Sequence, residues 1–266
     1  MGVAGAAVAT VIAQAMSVVL CVIYSRKKIP ILSLKISEMR IDKSLVVRTF
    51  QCSWGAALQQ ASLHIGVLLL QRAINTQGTS AIAAYAAVSR LDAFVLLGNF
   101  SISNAMTTFI AQNMGAGEYD RIRKGFHMGR VMLLIYCAFA CLFVTIFKES
   151  LISLFLEENS ARVVELGVAY YYVMAPAYLL AALGDSCQGY FRGMSRFDET
   201  LIVTIMQIII RVSLTYLLVG RFVVQAVAIA TATGWATLVI LSSIWQFMHM
   251  KNLEKYGVKK PRRAKA

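Results

Sequence analysis

Two carboxylates and two guanidinium groups interrupt the apolar runs of this chain: Asp92, Asp185, Arg90 and Arg211. Asp92 follows Arg90 by two residues in the run Ala83–Gly117, which has no Lys, Arg, Asp or Glu from Ala93 onward. A carboxylate in such a place can take up and release a proton, or coordinate a cation, as its surroundings gain and lose water. Residues two apart leave a helix in different directions, so Arg90 is a poor partner for Asp92 and Arg211 is the alternative. Either Asp92 carries an ion or it is fixed in a structural pair; the residue types alone permit both. Asp185, seven residues before Arg192, either lines the inner part of a cavity or lies near a membrane interface, where a carboxylate costs little. Arg211 reads as a packing or gating group, since it would repel a cationic substrate.

Gln59, Gln60, His64, Tyr85 and Asn99 are the candidates for lining a substrate cavity, although polar residues in spans also serve interhelical hydrogen bonding. Tyr85, Phe94, Tyr171, Tyr172 and Met174 could form an adaptable wall, or ordinary packing. The Gln112-Asn113-Met114-Gly115-Ala116-Gly117 hexapeptide is expected to end a helix in a gating turn, together with Arg192 and Gly193. It has neither the lysine nor the strand of a nucleotide loop. The three histidines are scattered, and the five cysteines read as reduced packing residues. No metal, no organic cofactor and no enzymatic activity are expected.

These residues must be held by helices in a bilayer. With 58% hydrophobic and 15% charged residues and a mean hydropathy of +0.65, the chain reads as an integral membrane protein. The net charge of +13 is then an orientation signal rather than a nucleic-acid footprint. Charge-free runs predict seven spans near residues 2–24, 46–71, 79–111, 126–147, 165–190, 200–219 and 223–248. The first is no signal peptide, because its basic residues Arg26, Lys27 and Lys28 follow the apolar run instead of preceding it. With the inside connectors counted generously as 25–48, 112–130, 191–199 and the tail after 248, strict alternation puts 20 Lys and Arg inside against four outside, and leaves Arg90 and Arg211 as the basic residues deep in spans. This predicts a multi-pass protein of the cell membrane with its N-terminus outside and its C-terminus cytoplasmic. An amphipathic surface helix is allowed within Leu34–Leu45, and the tail from Lys251 is expected on anionic headgroups. Gly125 and Gly129 have the spacing of a close helix contact.

Residues 3–26 match the segment 221 positions later, with Val3-Ala4-Gly5-Ala6-Ala7-Val8-Ala9-Thr10 against Val224-Gln225-Ala226-Val227-Ala228-Ile229-Ala230-Thr231. If the last span ends one repeat, the first span ends another. The expected organisation is therefore the last helix of an N-terminal lobe (1–25), a cytoplasmic linker (26–45), a six-helix lobe (46–248) and a basic tail (249–266). Parallel repeats of this sort build transporters, and five further helices are expected upstream.

Several segments in order then resemble one family: residues 3–10, Leu58-Gln59-Gln60, Ile74-Asn75-Thr76-Gln77-Gly78, Ala83-Ala84-Tyr85, Ser89-Arg90-Leu91-Asp92, the 112–117 hexapeptide with Arg121, Pro176, and Gly189-Tyr190-Phe191-Arg192-Gly193. Together they resemble the multidrug and toxic compound extrusion (MATE) family. The resemblance implies an all-α fold of two six-helix lobes around a central cavity, and proton- or sodium-driven export of amphipathic, often cationic, compounds. In one branch of that family a glutamate in the second span helps bind the coupling ion; residues 49–71 here have no carboxylate. The alternatives are a lipid-linked oligosaccharide flippase of related fold and a non-transporting fragment. The expected partners are small amphipathic compounds, the bilayer and an N-terminal lobe, with no nucleic acid.

Overall fold

The computed structural model describes residues 2–28, 42–154 and 161–251. Seven helices account for them: α1 (Gly2–Lys28), α2 (Lys43–Asn75), α3 (Thr79–Ala116), α4 (Tyr119–Ser153), α5 (Ala161–Gly193), α6 (Phe197–Phe222) and α7 (Val224–Lys251). Each predicted span lies within one helix, except that the seventh starts one residue before α7, at the Val223 that caps α6, and most helices run several residues past their span. A charged side chain ends a stay in hydrocarbon but does not break backbone hydrogen bonding, so a helix continues into the headgroups. Residues 29–41, which hold most of the surface helix expected within Leu34–Leu45, lie outside the described residues, as does the tail from 252; the last three residues of that stretch, Lys43–Leu45, begin α2.

Six of the seven helices are long and apolar enough to cross a membrane. The exception is α2, where Gln59, Gln60, Ser62 and His64 crowd into two turns. Ahead of it, Asp42 accepts the Ser44 N–H at 2.8 Å. Hydrogen bonds from the Ser44 side chain and backbone hold this carboxyl below its usual range.

The chain divides into two compact units, Met1–Phe50 and Gln51–Ala266. The first holds α1, an apolar helix whose large side chains are exposed and whose last turn is Arg26, Lys27 and Lys28.

In the second unit α5 is the centre, packing against α3, α4 and α7, while α6 packs on α7. Glycines set the close approaches. A Cβ on Gly189 would come within 3.0 Å of the Ser103 carbonyl oxygen, and one on Gly193 within 2.8 Å of that of Thr107, so both let α5 lie directly on α3. Gly125 and Gly129 of α4 likewise receive the Phe109 and Met106 side chains of α3, at 2.2 and 2.4 Å from where a Cβ would be. The spacing of that pair therefore admits side chains of α3 rather than bringing the two backbones into contact.

Both α3 and α5 end in the same turn. At α3 the Gly117 N–H reaches the Met114 carbonyl (3.1 Å) and the Glu118 N–H reaches Asn113 (2.9 Å), with Gly117 left-handed at φ 72°. At α5 the Ser195 N–H reaches Arg192 (3.0 Å) and the Arg196 N–H reaches Phe191 (2.8 Å), with Ser195 at φ 58°. The hexapeptide thus ends α3 at Gly117, as expected from the sequence, but the other turn residues fall elsewhere. Gln112, Asn113 and Gly115 belong to the last turns of α3, and Arg192 and Gly193 to that of α5. The left-handed residues are Gly117 and Ser195, and Gly193 is needed for proximity to α3 instead.

Candidate functional site

The chemistry-bearing residues fall into three clusters, all on helices of the second unit. In the first, Asp92 of α3 is held by three tyrosines of α5. The Tyr170 hydroxyl donates to Oδ2 at 2.5 Å, and the Tyr178 hydroxyl donates to Oδ1 at 2.7 Å. Tyr171 shares its single proton between Oδ1 (3.2 Å) and the Val88 carbonyl (3.1 Å). A carboxylate removed from water must recover its hydration from fixed donors, and two adjacent phenols and a third two turns further along α5 supply them. Neither sequence-proposed arginine makes an ion pair with Asp92. Arg90 is exposed, and Arg211 is half-buried with its Nε lacking a hydrogen-bond partner. Of the suggested aromatic wall, Tyr85, Tyr171 and Met174 are core residues, whereas Phe94 and Tyr172 are exposed.

The second cluster surrounds Asp185. Its carboxylate accepts a hydrogen bond from the Asn99 amide. Asn99 is fully buried and also accepts the Cys137 thiol. Ser103, one turn after Asn99 on α3, donates to the Asp185 carbonyl at 2.9 Å and accepts from the Arg192 guanidinium at 2.9 Å. Asn99 and Ser103 are spaced four apart, as are Asp185 and Gly189, so the two helix faces register like teeth.

Beside this pair of faces lies a chamber of about 140 Å³ between α2, α3, α5, α6 and α7. Asp185 and Arg192 line it along with the amides Gln59, Gln60, Gln188 and Gln207. Gln59 donates to Gln188 (3.2 Å) and to the Thr204 hydroxyl (2.9 Å), which ties α2 to α5 and α6. Space for a few waters, amide dipoles that can turn and one carboxylate make a place where a small cation can exchange its hydration for protein oxygens. Of the proposed cavity residues, Gln59 and Gln60 line the chamber and Asn99 sits behind it on Asp185. His64 is exposed on α2 without a hydrogen bond to a described residue, and Tyr85 lies in the core.

A third cluster was not anticipated. Arg130, counted from sequence as part of a connector, lies within α4 and reaches α5 and α7. It donates to Ser186 (3.0 Å), Cys187 (3.2 Å) and Gln246 (3.3 Å), and its guanidinium lies 4.3 Å from the centre of the Phe126 ring. The sequence signal was available: Ser186, Cys187 and Gln246 are polar groups in apolar runs that need a partner.

A family model described as MatE matches residues 56–217, which includes Asp92, Asp185 and every amide of the chamber. This chain belongs to the MatE family. Among curated relatives of this MATE chain is "Probable multidrug resistance protein YoeA" of Bacillus subtilis (strain 168), 27% identical over 162 residues, 60% of this chain and 35% of the relative. "Multidrug export protein MepA" of Staphylococcus saprophyticus is 25% identical over 224 residues, covering 84% of this chain and 49% of that protein. A solved structure described as the outward-facing conformation of a multidrug resistance MATE family transporter superposes with a TM-score of 0.85 at 17% identity. It covers 96% of this chain and 58% of that one, and shows the MATE fold. The chain thus spans half or less of the length of these two curated relatives.

Proposed function

We propose that this chain is the C-terminal lobe, with one helix of the preceding lobe, of an ion-coupled exporter of amphipathic compounds. In this reading the Asp185 chamber is where the coupling ion, a proton or sodium, meets the lobe. The observation that carries it is that Asp185, unlike Asp92, faces open space lined by four amide side chains. Both oxygens of Asp92 are taken by tyrosine hydroxyls, which makes it a brace between α3 and α5. An exported compound would lie against the apolar side of the chamber, Leu63, Phe100, Trp235 and Leu238. The positive-inside count supports a cytoplasmic C-terminus, and the repeat of residues 3–26 in α7 supports a partner lobe before α1.

The test is ethidium efflux from energised, efflux-deficient bacteria expressing the chain alone or fused behind the first five helices of MepA. Efflux is expected only from the fusion. Asp185→Asn should abolish it, and Asp92→Asn should leave its ion dependence intact. Full efflux by Asp185→Asn would remove the chamber from the mechanism.

A further inference from the structure

The outer side of the α3–α4 pair has a feature that efflux does not use. A groove of about 510 Å³ runs between the two helices, lined by Ile102, Ala105, Met106, Phe109, Met128 and Met132, and by Gly125 and Gly129. The two glycines create it: they let Phe109 and Met106 sink onto the α4 backbone, leaving a trough above them where larger residues would stand. One charge borders the trough. Lys124 stands at the α4 end near the turn to α3, is exposed, and has no hydrogen-bond or ion-pair partner among the described residues. Asp120 lies four residues earlier but makes no ion pair with it. Arg121 and Arg123 share the turn, and Arg123 donates to the Met250 carbonyl at 3.3 Å.

We propose that this groove is a binding site for an anionic phospholipid, one acyl chain lying along Met106–Met132 and the headgroup phosphate on Lys124. The observations fit together only for an amphiphile with an apolar tail and a negative head. The apolar trough would be a void in the bilayer if left empty, and a void forfeits dispersion contacts on one side. Unbranched methionines on both walls adapt to a flexible chain better than branched residues would. A basic residue at the end of an interhelical cleft is the arrangement that holds acidic headgroups. Phosphatidylcholine, which carries no net charge, would fill the trough but leave the ammonium unpaired.

The experiment uses the whole chain, purified, delipidated and titrated separately with phosphatidylglycerol and phosphatidylcholine of the same acyl composition, with retained lipid read by native mass spectrometry. Phosphatidylglycerol should bind about five-fold more tightly, the factor that one basic residue near the surface contributes. Lys124→Gln should erase that preference, whereas Arg121→Gln, outside the groove, should keep it. Ala105→Trp fills the trough and should lower retention of both lipids. If that variant misfolds by circular dichroism, the Lys124→Gln comparison still decides the matter. Equal affinity for the two lipids, a preference that survives Lys124→Gln, or tighter binding of oleate than of phosphatidylglycerol would each overturn the proposal.

Discussion

Replacing Tyr178 with phenylalanine removes one of the two short donors to Asp92 and nothing else in reach of that carboxylate. Hydrogen bonds between transmembrane helices are worth about 0.6 kcal/mol on average, because the unfolded chain in lipid also finds partners. Bonds to a charged group contribute about 1.5–3 kcal/mol. The distances decide between these values. At 2.7 Å for Tyr178 and 2.5 Å for Tyr170, both lie in or at the edge of the range of hydroxyl-to-oxyanion bonds. Tyr171, at 3.2 Å and shared with a carbonyl, does not. Tyr170→Phe and Tyr178→Phe should therefore each cost about 2 kcal/mol, and Tyr171→Phe about 0.6 kcal/mol. Asp92→Asn takes away the charge, so in that background each phenylalanine should cost only about 0.6 kcal/mol. The resulting coupling, about 1.4 kcal/mol per short bond, is read from a double-mutant cycle on unfolding of the purified chain in detergent micelles. Costs that add within about 0.5 kcal/mol, or Tyr171→Phe proving as damaging as Tyr178→Phe, would refute a carboxylate held by two strong bonds.

Gly193→Ala places a methyl group 2.8 Å from the Thr107 carbonyl, where backbone must move, and should destabilise by about 1–3 kcal/mol in the same unfolding assay. Gly115→Ala meets open space and should change stability by no more than about 0.5 kcal/mol, which separates the two roles of neighbouring helix-end glycines. Ser195→Gly relieves a left-handed serine and should stabilise by roughly 1 kcal/mol, seen as slower thermal unfolding. Arg130→Met leaves Ser186 and Gln246 without their shared donor inside the helix bundle. It should cost more than Arg90→Met on the exposed side, by about 1–3 kcal/mol.

What could be read in the sequence is what lipid imposes. Charge-free runs located every helix among the described residues, because hydrocarbon excludes charge whatever the helices later touch. Pairing is another matter. Asp92 was seen to need a partner, but arginine was sought because opposite charge is the obvious remedy. Three hydroxyls on a helix about 80 residues later serve as well, and their spacing of one and eight reads equally as a packing stripe. Asp185 could be read either as lining a cavity or as lying at the interface; only the register of α3 on α5 reveals Asn99 against it. Gly193 was read as part of a turn because glycine does two jobs, and sequence does not say whether a position needs a left-handed backbone or an absent side chain. Arg130 escaped notice because alternation assigned it to a connector, whereas its aliphatic stem lets the guanidinium reach inward from well inside α4.

The contact of α5 on α3 rests on glycines, with carbonyl oxygens where methyl groups would otherwise be. Such a contact has no intermediate setting: the two helices either touch or part by the width of a side chain. By contrast, α2 is tethered to α5 and α6 through Gln59, Gln188 and Thr204, bonds that water can replace one at a time. Any rearrangement of this lobe will therefore be cheapest where amides meet hydroxyls. Asp92 and Asp185, both bonded across the α3–α5 contact, belong to the part of the lobe that such a rearrangement would leave unchanged.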